Sequence, residues 1–213
     1  VTDFWRPVLL SLGLAACSAN PAPDADGVIV RDDFTDVQSG WDRQTSAELT
    51  ADYVDGRYLI AIEPPQRDVW GLPGLDLNDV RIEVDAVRGD GPIDNAFGVV
   101  CRLTGSGNDV RFYYFLISSD GYFGVQRFDQ GEIMWLNPAG NYEASPAIQQ
   151  GADAVNRLSA TCQGDHLSFV VNDQPLADVR DGALTHGDSG LIASSLTEGG
   201  VRILFDNVII AQP

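Results

Sequence analysis

Glu83 and Asp85 stand two residues apart in the run Val80-Arg81-Ile82-Glu83-Val84-Asp85-Ala86-Val87. An extended backbone puts both carboxylates on one face. Paired carboxyls are the working groups of glycoside hydrolysis. In the retaining mechanism two of them, ~5–5.5 Å apart, serve as nucleophile and acid/base. With Arg81 beside them, the same residues equally make a plain solvated strand face. The two histidines, His166 and His186, lack the spacing of metal ligands and are expected at the surface. No Ser occupies a Gly-x-Ser-x-Gly elbow, and Gly105-Ser106-Gly107 reads as a hairpin tip rather than a phosphate loop.

Aromatic side chains offer a second chemistry. A flat, exposed ring with hydrogen-bond donors beside it stacks on a sugar. Trp70, Tyr114, Tyr122 and Trp135 are the candidate rings, with Arg102 or Gln126 as candidate polar contacts. Trp70 and Trp135 are expected near loops. Trp41, after Gly40, is expected in the core, where aromatics are mostly buried.

Three cysteines are present. Cys17 follows Leu14-Ala15-Ala16 at the end of an apolar segment, residues 8–16, behind a head carrying Arg6. Ser18-Ala19-Asn20-Pro21-Ala22-Pro23 comes next. Charged head, short apolar stretch and small residues at the cut make a secretory signal. The stretch is too short to span a bilayer, which takes ~20 residues. Leu-Ala-Ala-Cys resembles the lipobox of bacterial lipoproteins. The resemblance implies that residues 1–16 are a signal peptide and that Cys17 is lipidated. Residues 17–26 then form a tether and residues 27–213 a single domain. The chain would be exported and held on the outer side of a bacterial membrane by the lipid on Cys17 alone. Cys101 and Cys162 remain as an even pair, which an oxidising compartment usually closes into a disulfide.

The formal net charge is −18, and the basic residues are all Arg. Nucleic acid and anionic lipid surfaces are therefore poor partners, because phosphate binding needs clustered cations.

Period two dominates from Gly27 onward. Apolar runs at 58–62, 80–87, 97–103, 111–117, 122–128, 158–162, 166–171, 176–179, 190–193 and 201–210 read as strands between turn signals. Asp120-Gly121 predicts a type I′ hairpin. Only Ser145-Pro146-Ala147-Ile148-Gln149-Gln150 predicts a helical turn, with Ser as cap and Pro in the first position. About a dozen short strands mean a β-sandwich or barrel.

Several pieces together carry a family resemblance. They are Asp32-Asp33-Phe34 with Gly40-Trp41, Asp52 to Tyr58, and Asp94 to Arg102. Ser118-Ser119-Asp120-Gly121-Tyr122, Gly187 to Leu191 and Phe205-Asp206-Asn207-Val208 complete the set. The chain resembles the concanavalin A-like lectin/glucanase jelly roll over residues 28–211. More narrowly it is similar to exported bacterial domains of the 3-keto-disaccharide hydrolase-like type. The resemblance implies an all-β fold of two antiparallel sheets with a concave outer surface. Glucanases of this fold place a second Glu two or three residues after Glu-x-Asp. Here Val87 or Arg88 stands there, so the expected acid/base is missing. Lectin-like jelly rolls often hold a calcium ion, and Asp206 is the candidate ligand; no other cofactor is expected. The leading expectation is a non-catalytic module that binds a glycan or a cell-surface protein. A glycoside-acting hydrolase and a structural subunit of a surface assembly are the alternatives.

Overall fold

Val80, Ile82, Val84 and Ala86 are fully buried, while Arg81, Glu83 and Asp85 between them stay partly solvated. That alternation is repeated through the molecule and builds two packed sheets. The structure is a computed structural model that describes residues 20–213, so the expected signal segment and Cys17 lie outside the described residues.

The strands in chain order begin with β1 (Val28–Asp32), β2 (Gln44–Thr45), β3 (Leu49–Val54), β4 (Arg57–Ile62) and β5 (Arg67–Gly71). Next come β6 (Val80–Arg88), β7 (Asn95–Thr104), β8 (Arg111–Ile117), β9 (Tyr122–Asp129), β10 (Glu132–Trp135) and β11 (Glu143–Ala144). The last are β12 (Val155–Gln163), β13 (His166–Val171), β14 (Gln174–Arg180), β15 (Asp188–Ser195) and β16 (Val201–Ala211). A nine-stranded sheet runs β14-β13-β12-β6-β16-β4-β3-β2, with β1 added on β16. A seven-stranded sheet runs β10-β9-β8-β7-β15-β5, with β11 added on β9. The pairings are antiparallel. The two final strands enter the middle of the sheets, β15 between β5 and β7, β16 between β4 and β6. The chain thus closes each sheet with residues far away in sequence. This is the two-layer sandwich that the strand pattern predicts.

The inner faces supply Ile82, Val84, Leu158, Phe169, Ile203 and Phe205 from one sheet and Phe97, Val99, Phe115, Ile117, Val125 and Leu191 from the other. Each such side chain contributes about 1.5–3 kcal/mol by leaving water. Cys101 on β7 and Cys162 on β12 join the layers as a disulfide, with Cα atoms 6.8 Å apart and a sequence separation of 61. At one end Phe34, Trp41, Tyr53 and Tyr58 form an aromatic knot. Buried Asp32 anchors it by accepting from Phe34 N at 2.7 Å and Trp41 Nε1 at 2.9 Å.

Two local expectations change. The segment at Ser145–Gln150 is a turn; the Ser145 hydroxyl accepts from Ala147 N, but the chain passes from β11 to β12 without a helix. Asp120-Gly121 does close a hairpin, yet only Gly121 has a positive φ, 96°. The type I′ signature of two positive φ angles occurs instead at Asp55-Gly56, Gln130-Gly131 and Asn172-Asp173.

Candidate functional site

An antiparallel sheet usually turns one face to the core and a polar face to water. The seven-stranded sheet does not follow that rule. Phe112, Tyr114 and Leu116 on β8 point outward, with Val100 on β7 and Ile192 on β15, and all are buried in a second apolar cluster. Trp70, Phe128 and Tyr142 pack against it. Phe112 meets Phe128 in a stacked pair at 5.2 Å, Tyr114 edge-on at 5.0 Å and Trp70 at 5.7 Å. This explains why the run from Phe112 to Ile117 carries no alternation: both its faces are covered.

A hollow of about 240 Å³ opens on this outer face. Strand register assembles it. Tyr114, Gln126 and Trp135 are cross-strand partners on β8, β9 and β10, and Ser194 on β15 is the partner of Asp68 on β5. Tyr142, just before β11, closes the wall by meeting Trp135 edge-on at 4.9 Å. A second hollow of about 210 Å³ shares Tyr142 and Leu196 with the first and is lined by Asp94, Ser118, Asp120 and Tyr122.

The polar groups of the first hollow are under-satisfied. Tyr114 and Ser194 are each 3 % exposed, and among the described residues their hydroxyls have no hydrogen-bond partner. Leaving such a group shielded and unpaired costs about 1–3 kcal/mol. Asp68 is exposed on the edge strand, and crowding by its neighbours pushes its carboxyl above its ordinary value. Desolvation, with the Asp68 charge as the next cause, pushes the Tyr142 hydroxyl up to about 12. The Tyr114 hydroxyl is raised by the same causes in the same order. A ligand bearing hydroxyl groups would supply the missing partners and find rings on which to rest.

The sequence candidates divide in two. Tyr114 and Trp135 line the first hollow, Tyr122 lines the second, and Trp70 borders the same face through Phe112. Trp70 and Trp135 lie on edge strands rather than in loops. Tyr114 offers no free ring face, since the residue is buried. Arg102 is a correction. It is 1 % exposed, and its guanidinium donates to the carbonyls of Asn78, Gly164 and Leu184, each at 2.8 Å, with Asp79 as an ion-pair partner. It clamps loops at an end of the sandwich and is not placed in the hollow. Asp206 is the cross-strand partner of Asp85; no group of three or more His, Cys, Asp or Glu able to hold a metal ion occurs among the described residues. Asp68, Tyr142 and Ser194 were not anticipated.

Glu83 and Asp85 lie on β6 of the other sheet, where Arg157 binds them at 2.7 and 3.3 Å. His166 and His186 are surface residues paired with Asp178 and Asp76. A broad depression of about 740 Å³ lies beside Asp85, between Arg31, Asp33, Arg157 and Asn207. Its carboxylates are already engaged: Asp85 with Arg157 and Asn207, Asp33 with Thr35.

No protein-family model matches the chain, and no curated protein matches it. Solved structures do. The carbohydrate binding module CBM66 from Bacillus subtilis superposes with a TM-score of 0.62 at 17 % identity, over 81 % of this chain and 96 % of that one. The chain has a galectin-like, concanavalin A-like β-sandwich fold. A Bacillus subtilis protein of unknown function with a galectin-like fold gives 0.64 at 12 % identity, covering 87 % and 96 %. Bacillus licheniformis β-glucanase gives 0.60 at 8 % identity, covering 89 % and 99 %. At these identities the likeness concerns the fold, and the chemistry of the sandwich rests on its own residues.

Proposed function

We propose that this chain is an exported, lipid-anchored module that binds glycans in the hollow on the outer face of the seven-stranded sheet, without catalysis. The observation that carries the reading is the pair of buried, unpartnered hydroxyls, Tyr114 and Ser194, inside an aromatic-walled hollow. Sugars combine apolar ring faces with dense hydroxyls, so Trp135 and Tyr142 would take the ring while Asp68, Ser194, Tyr114 and Gln126 bond its edge. The similarity in fold to a carbohydrate binding module and to a β-glucanase supports a glycan-related role. The pairing of Glu83 and Asp85 with Arg157, on the opposite sheet, speaks against the glucanase arrangement of carboxyls. Export and anchoring rest on Leu14-Ala15-Ala16-Cys17.

A glycan array probed with the purified protein is the direct test. Defined glycans should bind, and Trp135→Ala should weaken binding about tenfold or more, as for other aromatic anchors in pockets. Glycoside turnover lost in Asp68→Asn would overturn the reading in favour of a hydrolase. For the anchor, Cys17→Ser should move the protein from the membrane fraction to the soluble exported fraction. A wild-type protein whose mature form begins elsewhere than Cys17 would refute lipidation.

A further inference from the structure

Some carboxylates of this acidic chain are ion-paired and others, such as Asp33 and Asp188, are not; those lining the two hollows belong to the second group. Asp52, Asp85, Asp129, Asp165 and Asp181 each have an Arg partner. Asp68, Asp94 and Asp120 have no ion-pair partner among the described residues. Asp94 and Asp120 receive only the hydroxyls of Thr197 and Ser118. Among the described residues no Arg or His lines either hollow, and the chain contains no Lys to reach in. Arg67, next to Asp68 in sequence, donates to the carbonyl of Gln66.

We propose that the hollow selects cationic amino sugars, hexosamine units with a free amine, by pairing their ammonium with Asp68. This rests on the glycan-binding reading above and names the class of glycan. Asp68 is an exposed carboxylate on the edge strand β5, lines the aromatic-walled hollow and has no counter-ion there, so a bound ammonium finds an opposite charge beside the rings. The shielded hydroxyls of Tyr114 and Ser194 then find partners in the sugar's own hydroxyls, which a bare inorganic cation would not supply. The neighbouring Asp94 and Asp120 add attraction for further amines along an oligomer and repulsion for uronic acids. Trp135 and Tyr142 give the apolar wall that a sugar ring uses and a metal ion does not.

The experiment is calorimetric titration of the protein with four probes: a glucosamine tetramer, its fully N-acetylated form, a galacturonate tetramer and tetralysine. A buffer at about pH 6 keeps the amines protonated, below their ordinary range. The glucosamine tetramer should bind about tenfold or more tighter than the N-acetylated form, and the galacturonate should not bind. Added salt should narrow the first difference. Asp68→Asn should cut the preference for the free amine about tenfold, and Trp135→Ala should weaken both hexosamine oligomers. Equal binding of the two hexosamine tetramers, lost in Trp135→Ala, overturns charge selection and leaves glycan binding standing. Tetralysine binding as tightly as the glucosamine tetramer overturns the sugar assignment. Binding of none of the probes overturns this inference, and an array without hits would then remove the broader reading too.

Discussion

Trp135 and Tyr142 meet edge-on over Gly124, a residue whose missing side chain is what lets the two rings lie on the strand. A Cβ at Gly124 would stand 2.8 Å from Trp135 Cζ3 and 3.1 Å from Tyr142 Cε1. Gly124 sits in β9 with no positive φ, so a larger residue is tolerated by the backbone and resisted by the rings. Gly124→Val should therefore displace the aromatic wall. Affinity for a glycan bound as proposed should fall about tenfold, while the melting temperature changes little, because a β-branched residue suits the strand. Titration and thermal melts on the same variant separate the two effects. Undiminished affinity would show that these rings do not form the ligand wall.

Much of the sandwich was legible because its strands are half-buried. The alternation from Val80 to Val87 names β6, and the unbroken run from Phe112 to Ile117 names β8 as a strand covered on both faces. The hollow was harder to see. Its flanks are β5 and β10, short edge strands with exposed charged or irregular sequence, Arg67-Asp68-Val69-Trp70 and Glu132-Ile133-Met134-Trp135. Such edges carry no clear period. Asp68 and Ser194 meet only because β15 pairs with β5, a contact between residues far apart in the chain. Arg102 misled for a related reason. Its type suggests a surface contact, but a positive φ of 57° at a bulge turns it into the loop-clamping position.

The disulfide gives a prediction on stability and on thiol count. Cys101–Cys162 closes a loop of 61 residues across the two sheets. Loop-closure entropy for that length corresponds to about 4 kcal/mol at most. Reduction, or Cys101→Ala with Cys162→Ala, should lower stability by ~2–4 kcal/mol in urea melts without changing the sheet content. If Cys17 is lipidated as proposed, thiol titration of the denatured, unreduced exported protein should find no free thiol. Protein made without export should show the thiol of Cys17. Two reactive thiols from Cys101 and Cys162 would disprove the bridge.

Arg102→Met tests the structural assignment of Arg102. The change leaves the carbonyls of Asn78, Gly164 and Leu184 without their donor. Charge-assisted hydrogen bonds contribute about 1.5–3 kcal/mol each, so a loss of ~3 kcal/mol or more is expected. Glycan affinity measured well below the melting temperature should match the parent. An unchanged melt with lost affinity would return Arg102 to the binding site.

Asp188 supplies a pH dependence with a defined sign. Its carboxyl accepts from Gly74 N at 3.0 Å and from Ser189 N at 2.8 Å, yet desolvation pushes it up to about 6 from an ordinary 3.8. Between those two values the folded state holds more protons than the unfolded state. Stability from this group therefore falls as pH rises from about 4 to about 6, and the penalty persists above that. The full shift corresponds to ~3 kcal/mol, of which ~2 falls between about pH 4 and about pH 7. Carboxyls that are lowered, such as Asp52 by the hydrogen bond from Arg43 and Asp33 by that from Thr35, act in the opposite direction and below this window. Asp188→Asn should remove the Asp188 contribution alone. Urea melts of both proteins at about pH 4 and about pH 7 should show the parent losing ~2 kcal/mol relative to the variant across the interval. Parallel pH profiles would mean that Asp188 titrates as an ordinary surface carboxyl and that the loop at Gly74 does not bury it.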